Sequence, residues 1–183
     1  MKPESLRLVQ PRSDLREAFI SFLAEFANNE DIPGLGGLNS GDFDGAVRNA
    51  RDFAEGINLP AGWVPAHTFW LMRNETDIVG VMQIRHSLTP FLESEGGHIG
   101  YSVRPSERGK GYATRMLSMA LNEARRLGLR RVLLTCDARN ISSARVIQKN
   151  GGRLENEIPS RIPGRELTQR YWIELDSNNK IAP

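Results

Sequence analysis

Cysteine, net charge and long apolar runs are all scarce in this chain, and each scarcity excludes a class of protein. One cysteine, Cys136, in 183 residues excludes an intramolecular disulfide and a zinc site built from several cysteines. A formal net charge of +2 gives little electrostatic basis for nucleic acid as the main partner. No apolar run approaches the length of a membrane span or, at residues 1–5, of a signal peptide. We therefore expect a cytoplasmic protein that binds neither nucleic acid nor membrane.

Histidine is scarce as well, and its spacing bears on metal binding. The three histidines are His67, His86 and His98, and no two of them stand at the spacing of paired metal ligands. The sequence therefore predicts no metal site. What the chain does contain is ordinary for a globular protein, with 39% hydrophobic and 25% charged residues.

Strand and helix patterns interleave along the chain without a break in composition. Apolar residues at helical spacing predict about four helices, and short apolar runs predict about seven strands. Ser13 and Asn140 are candidate caps at the starts of two of these helices. The predicted strands cover residues 6–9, 68–73, 78–85, 97–103, 132–135, 153–158 and 167–175. We therefore predict a single domain over residues 1–183 of the α/β (α+β) class.

Two segments are predicted to be loops. Residues 32–41 contain Pro33 and four glycines, which favour either a plain connector or a mobile rim of a substrate pocket. Residues 89–97 form the second predicted loop. Its two glutamates, Glu93 and Glu95, are expected to be solvated.

The most informative stretch joins a predicted strand to the third predicted helix and runs from Val103 to Ala113. Its glycines, Gly109 and Gly111, let the backbone turn sharply and approach a ligand closely. The first amides of the following helix lack internal partners and lie at the positive end of the helix dipole. Arg108 and Lys110 add two cationic side chains, and Glu107 in the same turn is expected to be exposed. The stretch therefore predicts a phosphate or pyrophosphate site.

Two common phosphate-binding patterns do not fit this stretch. A Walker loop requires Gly-x-x-x-x-Gly-Lys followed by Ser or Thr, whereas Gly111 follows Lys110 and no glycine lies five residues before Gly109. The dinucleotide fingerprint Gly-x-Gly-x-x-Gly has Thr114 where its third glycine belongs, and the stretch does not lie in a first βαβ unit. Neither class of nucleotide site is predicted.

Arg108 to Ala113 instead fits the pattern (Gln/Arg)-x-x-Gly-x-(Gly/Ala), which resembles the pyrophosphate-binding motif of the GNAT superfamily of acetyl-CoA-dependent N-acetyltransferases. The resemblance continues in order through Val103-x-Pro105, a long amphipathic helix, the apolar strand to Cys136, Asn140-x-x-Ser143-Ala144 and Lys149-Asn150-Gly151. Residues 97–156 most resemble a subgroup known as predicted acetyltransferases of unknown substrate. The resemblance therefore implies a chemistry without naming an acceptor.

The resemblance implies a GNAT-like domain with a mixed, mostly antiparallel sheet that splays open between Val103 and Thr135. It implies acetyl-CoA as co-substrate, bound by a core over residues 97–152. The backbone from Tyr101 through Ser102 to Val103 is expected to pair with the pantetheine arm. The residues implied at the pyrophosphate are Arg108, Gly109, Lys110, Gly111, Tyr112, Ala113 and Thr114. Asn140 is implied either to bond the pantetheine or to cap its helix, with Ser143 as a further contact.

The implied reaction is direct transfer of the acetyl group from sulfur to a primary amine. The Val103 amide is the candidate oxyanion donor, which would polarise the thioester carbonyl. His98 is the candidate base because its ordinary pKa suits the task, and its alternative is a strand residue that faces solvent or a neighbour. Many members carry a tyrosine acid in the fourth helix, where this chain has Ile147, so the proton donor stays unassigned. Cys136 is expected to be inert packing.

Other functions stay open at this point. The missing helix tyrosine is consistent with a non-catalytic module that binds acyl-CoA as a sensor. The same scaffold could instead transfer an amino-acyl or longer acyl group. The acceptor is expected to be a small-molecule or peptide amine, and the somewhat basic surface favours neutral or acidic acceptors over polyamines. A homodimer contact through the last strands is a further hypothesis.

Overall fold

The structure, a computed structural model, describes residues 4–26, 32–38 and 41–175 of the chain. Its strands are β1 Leu6–Val9, β2 Ala66–Arg73, β3 Asp77–Arg85, β4 Ile99–Val103, β5 Arg131–Asp137, β6 Arg153–Pro159 and β7 Leu167–Glu174. Its α-helices are α1 Arg16–Leu23, α2 Phe43–Ala54, α3 Tyr112–Arg126 and α4 Ile141–Lys149. Within the described ranges these elements confirm the predicted mixture of about seven strands and four helices.

The strands form two antiparallel sheets, in the orders β1-β2-β3-β4 and β5-β7-β6. The first sheet is built on the hairpin of β2 and β3, whose turn places Asn74 and Glu75 at positive φ values of 48° and 68°. The second sheet places β7 between β5 and β6, so that both neighbours of β7 run antiparallel to it. Every strand pairing in the described residues is antiparallel, which assigns the fold to the α+β class.

The two sheets approach each other along β4 and β5, which form no ladder in the described part of the chain. They meet where the two strands begin, because the His98 amide donates to the Leu133 carbonyl at 2.7 Å. Beyond that point the edge of β4 toward Val103 has no strand beside it in the described sheets. The predicted opening between these two strands is therefore present.

Helices cover both faces of the first sheet. On one face α1 and α2 bury an aromatic core in which the Phe19 and Trp70 rings lie 5.0 Å apart. On the other face α3 buries Met116, and α4 packs against α3 and β5 and buries Ile147. Each such side chain stabilises the fold by about 2 kcal/mol when it is removed from water. No helix in the described ranges is long and apolar enough to cross a membrane.

Two local predictions are wrong. Ser13 does not cap α1, because it lies inside a short 3-10 turn and its side chain bonds Asp44 instead. Residues 89–97 are not a plain loop, since residues 92–96 form a π-helical turn. That turn ends where Gly97, at a φ of 63°, donates its amide to the Leu92 carbonyl. A single wide turn of this kind carries no periodic apolar pattern, so the sequence does not reveal it.

Candidate active site

The phosphate turn, defined here as residues 104–111, connects β4 to α3. Gly109 and Gly111 have φ values of 79° and 87°, in the left-handed region that side-chain-bearing residues rarely adopt. A Cβ added to either glycine would meet no heavy atom within 4 Å. Backbone conformation, and not crowding by the protein, therefore requires glycine at both positions. The open space beside them lets a ligand approach the backbone.

The first turn of α3 presents unpaired amides at the end of this turn. The first helical bond runs from the Arg115 amide to the Gly111 carbonyl at 3.2 Å. The amides of Tyr112, Ala113 and Thr114 precede that bond, and no described residue accepts a hydrogen bond from them. They lie at the positive end of a 15-residue helix. This arrangement is suited to bind an anion such as a phosphate.

Lys110, which precedes Gly111 in the phosphate turn, is held by a carboxylate. Lys110 Nζ donates to Glu107 at 2.9 Å, and Arg73 lies 3.1 Å from the same carboxylate. Glu107 was expected to be exposed, but it is 9% exposed because Arg73 and Lys110 enclose it. The hydrogen bond from Lys110 lowers the pKa of Glu107, so the carboxylate is ionised. The charge of Lys110 is therefore already paired within the turn.

A buried arginine anchors the other end of the phosphate turn. Arg104 is 7% exposed and its guanidinium lies 2.7 Å from Glu25 and 2.9 Å from Asp77. Glu25 also accepts from the Ser106 amide at 2.9 Å, which fixes the turn to the segment after α1. The carbonyl of Ser21 in α1 accepts a further bond from Arg104 at 3.1 Å. The turn is thus positioned by ion pairs that do not touch the ligand side.

The edge of β4 that faces the opening presents backbone groups to it. The carbonyl of His98 and the amide of Arg104 both bond to β3, at 2.8 and 3.0 Å. Because alternate residues of an antiparallel strand face the same neighbour, the backbone groups of Tyr101 and Val103 point the other way. The hydrogen bond at the Val103 carbonyl is consistent with this direction, because the carbonyl accepts from Arg108 Nε of the phosphate turn at 3.2 Å and not from β3.

A cavity of about 700 Å³ joins this edge to the phosphate turn and α4. All the predicted cofactor residues except Lys110 line it. The sequence interpretation missed Ser142 and Arg145, which line the same cavity from α4. Their spacing was the available signal, because Ser142, Arg145 and Lys149 follow one another on one face of a helix.

Two hydroxyl groups meet inside the cavity. Asn140 caps α4, with its Oδ1 accepting from the Ser143 amide at 3.0 Å. The Ser143 hydroxyl in turn lies 3.0 Å from the Tyr101 hydroxyl, which links α4 to β4 across the opening. Burial raises the pKa of Tyr101 to about 12, so this phenol keeps its proton. Burial likewise raises the pKa of Cys136 to about 11, which makes the thiol a poor nucleophile.

The structure places His98 at the closed end of the opening. Its Nδ1 accepts from the Leu133 amide at 2.9 Å, and the residue is 7% exposed. Burial, together with the charges of Arg85 and Arg131, lowers the pKa of His98 to about 4. The imidazole is therefore neutral and carries its proton on Nε2. This geometry ties β4 to β5 and offers no available lone pair to an acceptor ammonium.

A second cavity of about 490 Å³ lies along the first half of β4, at Ile99, Gly100 and Tyr101. It is enclosed by residues 32–37, by the π-helical turn and by the connection between β6 and β7. Pro33 and Tyr101 line both cavities. The two cavities therefore adjoin at the middle of β4.

The glycine-rich segment packs directly on the sheet at this cavity. A Cβ at Gly34 would lie 2.7 Å from the Gly100 carbonyl oxygen, so Gly34 does not tolerate a side chain without movement. The Ser102 hydroxyl donates to the Pro33 carbonyl at 2.8 Å. Of the two interpretations of residues 32–41, a pocket rim fits residues 32–38. Residues 39–40 lie outside the described residues.

Glu95 is not solvated, in contrast to the expectation, whereas Glu93 is exposed. The Glu95 carboxylate accepts from Thr168 Oγ1 and the Arg161 amide, each at 2.6 Å, and from Ser160 Oγ at 3.0 Å. Burial opposes ionisation, but these hydrogen bonds together lower the pKa of Glu95. The donors come from residues 160–168, far along the chain, which is why no local pattern indicates the burial.

No cluster of three or more His, Cys, Asp or Glu side chains that could hold a metal ion occurs among the described residues. Residues 6–153 match the family described as the acetyltransferase (GNAT) domain. The chain belongs to this family. It is 32% identical over 105 residues to the uncharacterized N-acetyltransferase YycN of Bacillus subtilis, covering 56% of this chain and 67% of that protein. It is 34% identical over 90 residues to YnaD of the same organism, covering 46% of this chain and 53% of that protein.

Solved structures show the same fold at lower identity. An acetyltransferase of Salmonella typhimurium that modifies the N-terminal serine of ribosomal protein L7/L12 has a TM-score of 0.67 at 18% identity, covering 94% of this chain and 96% of that one. A spermidine N-acetyltransferase chimera from Vibrio cholerae and hSSAT has a TM-score of 0.62 at 21% identity, covering 94% and 95%. The structure of yncA, an acetyltransferase of S. typhimurium with acetyl-CoA, has a TM-score of 0.62 at 19% identity, covering 96% of each chain. These structures show the fold, and the family match together with the curated relatives shows that the chain is an N-acetyltransferase.

Proposed function

We propose that this N-acetyltransferase moves an acetyl group from acetyl-CoA to a primary amine by direct attack. The observation that carries the proposal is that two cavities adjoin at Tyr101 and Pro33, at the point where β4 has an open backbone edge. One cavity has the anion-binding amides of a cofactor site, and the other has room for an acceptor. A reaction between the two ligands would take place at their junction.

The donor cavity matches the chemistry of acetyl-CoA along its length. The open backbone groups of Tyr101 and the amide of Val103 suit the amides of a pantetheine arm, as an added strand would. The first amides of α3 suit the pyrophosphate. Arg145 and Lys149 add positive charge along the wall formed by α4. The chain belongs to an acetyltransferase family, and the structure of yncA, which shares its fold, contains acetyl-CoA.

The Val103 amide is the group proposed to act on the thioester. It points into the opening, as the alternation along β4 requires. An amide donor at that position would stabilise negative charge as it develops on the thioester oxygen. A tetrahedral centre forms when the neutral amine nitrogen attacks the acetyl carbon, and it collapses by breaking the carbon–sulfur bond. The nitrogen gives its extra proton to water, and the released thiolate takes up a proton from water, so the products are the acetylated amine and CoA.

We assign no protein base to the described part of the two cavities. His98 carries its proton on Nε2 and its Nδ1 is occupied, while hydrogen bonds from three donors occupy the Glu95 carboxylate. The acceptor must therefore lose its proton to water before it attacks. Arg85 and Arg165 line the acceptor cavity, and their positive charge lowers the pKa of a bound amine.

The leaving thiolate is proposed to accept a hydrogen bond from the Tyr101 and Ser143 hydroxyl pair. Ile147, at the position of the family tyrosine, is fully buried and has no proton to give. A thiol titrates at roughly 8.5, so its anion is already a fair leaving group and needs stabilisation more than protonation. The homodimer contact and the cytoplasmic location stay predictions.

The test is amine-dependent release of CoA thiol from acetyl-CoA, with calorimetric titration of acetyl-CoA on the same protein. We expect tight binding, together with thiol release and acetylated product when an amine panel is supplied at alkaline pH. Failure of the folded protein to bind acetyl-CoA would overturn the proposal. Tight binding without release for any amine would favour the acyl-CoA sensor, and faster release from a longer acyl-CoA would favour a different acyl donor.

A further inference from the structure

We propose that the acceptor carries a carboxylate or similar anionic group close to its reactive amine, and that Arg165 binds this group. The inference rests on the proposed function, because it takes the second cavity as the acceptor site. It is carried by the charged side chains that line that cavity and by the hydrogen bonds and ion pairs that each of them already makes.

One carboxylate and two guanidinium groups are the charged side chains that line the described part of this cavity: Glu95, Arg85 and Arg165. The Glu95 side chain has no exposed surface, and its oxygens accept three hydrogen bonds of 2.6 to 3.0 Å. A buried carboxylate with this many donors has little capacity left for a ligand ammonium. The cavity therefore presents a positive lining.

Arg165 has the donors to bind an acceptor anion. Its Nη1 lies 3.7 Å from Glu95, which is an ion-pair distance but longer than a hydrogen bond. Its guanidinium makes no hydrogen bond to any described residue, and the side chain keeps 23% exposure. A guanidinium offers five N–H donors in a planar fork that fits the two oxygens of a carboxylate. Its own backbone is fixed by a bond from the Arg165 amide to the Ile162 carbonyl at 3.1 Å.

Arg85 places a second positive charge on the floor of the cavity. Its Nη1 donates to the carbonyls of Gly96 and Gly97, each at 3.0 Å. These bonds hold the guanidinium beside β4, with Nη2 3.5 Å from the position of a Cβ on Gly100. A charge at this place opposes binding of an ammonium and favours the neutral amine that the reaction needs.

A polyamine is the acceptor class that this lining disfavours most. After one nitrogen loses its proton, a polyamine still carries at least one ammonium at neutral pH. That ammonium would lie in a cavity whose described charges are two guanidinium groups and a carboxylate occupied by other donors. An acceptor with a carboxylate gains an attraction from the same groups. The spermidine N-acetyltransferase among the solved structures is 21% identical to this chain, so its similarity supports the fold alone.

The experiment compares acceptors matched in their amine but opposite in charge. The pairs are the C-terminal amides of the dipeptides Gly-Asp and Gly-Arg, which each have one primary amine, and 4-aminobutyrate and 1,4-diaminobutane. We expect kcat/KM to be at least about tenfold higher for the acidic member of each pair, as one charge-assisted contact would give. Arg165→Gln should reduce that preference to near parity without changing the Kd of acetyl-CoA, and Arg165→Lys should retain part of it.

Arg161→Gln is the matched control, because Arg161 lies in the same connection but its side chain does not line the cavity. Equal or faster turnover of the basic members would overturn the inference, and so would a preference that survives in Arg165→Gln. Acetyl-CoA binding without turnover of either acidic acceptor would also overturn it. Failure of acetyl-CoA to bind would instead refute the proposed function, so the two failures are distinguishable.

Discussion

Replacing Gly111 by alanine should weaken acetyl-CoA binding far more than it weakens the fold, and Gly128 provides the control. Both glycines have a left-handed backbone conformation, with φ values of 87° and 82°, and an added Cβ at either position would meet no heavy atom within 4 Å. The two substitutions therefore impose the same conformational cost without a steric clash in the protein. They differ in place, because Gly111 precedes the first turn of α3 and Gly128 follows its last turn.

The magnitudes follow from the two local effects. A left-handed alanine costs about 1–2 kcal/mol, which lowers the Tm of a protein of this size by about 2–8 °C in either variant. If the new alanine of the Gly111→Ala variant relaxes its φ, the amides of the following residues turn away from the phosphates. Losing one such charged hydrogen bond costs about 1.5–3 kcal/mol, or about 10- to 100-fold in Kd.

Calorimetric titration of acetyl-CoA and thermal unfolding would be measured on both variants. We expect similar losses of Tm, a weaker Kd for Gly111→Ala and an unchanged Kd for Gly128→Ala. The reasoning is refuted if Gly111→Ala binds as the wild type does while its Tm falls as far as that of the control. It is equally refuted if both variants lose affinity to the same extent.

Three further predictions concern the surroundings of the site. The pKa of His98 is about 4 in the folded protein and about 6.5 when unfolded, so the unfolded state binds more protons between these values. Stability from this group is therefore present above pH 6.5 and lost as the pH falls toward 4. In urea unfolding, the free energy of unfolding should fall less steeply with decreasing pH for His98→Asn than for the wild type. An unchanged pH profile would contradict this. Arg104→Met should cost about 2–3 kcal/mol in urea unfolding because it removes the ion pairs with Glu25 and Asp77, allowing for their partial exposure; Glu25 then loses its cation, while Asp77 keeps its pair with Arg73. Arg7→Met, which removes an exposed pair with Glu75, should cost about 0.5 kcal/mol or less, and equal costs for the two variants would count against the anchoring role of Arg104. Tyr101→Phe should lower kcat about tenfold with an unchanged Kd for acetyl-CoA, as loss of a hydrogen bond to the leaving thiolate requires, and an unchanged kcat would remove that role.

The parts of the fold that depend on local sequence could be predicted. The phosphate turn is an example, because Gly109 and Gly111 fix a left-handed backbone through their own chemistry and the following helix supplies its amides through its own start. The direction of the Val103 backbone groups likewise follows from the strand itself, because alternate residues of a strand face opposite neighbours. Asn140 had two possible roles, and its bond from the Ser143 amide confirms the cap at the helix start, while a contact with the pantetheine stays a prediction.

The environment of each charged side chain could not be predicted, since it depends on contacts between distant segments. Glu95 is buried because donors far along the chain close around it, as with Thr168 Oγ1 at a separation of 73 residues. Glu107 is enclosed by Arg73 from β2. His98 is held by the Leu133 amide of β5, which turns a candidate base into a link between strands. The acceptor cavity draws on several such segments, so no local pattern outlines it.

The most direct test of the account is an amide chemical-shift titration of the isotopically labelled protein with acetyl-CoA. We expect large shifts at Tyr101 and Val103 on β4 and at residues 109–114, with little change at Gly128. Shifts confined to other parts of the chain, or no shifts at saturating acetyl-CoA, would contradict the claim that the opening between β4 and β5 and the phosphate turn together hold the cofactor.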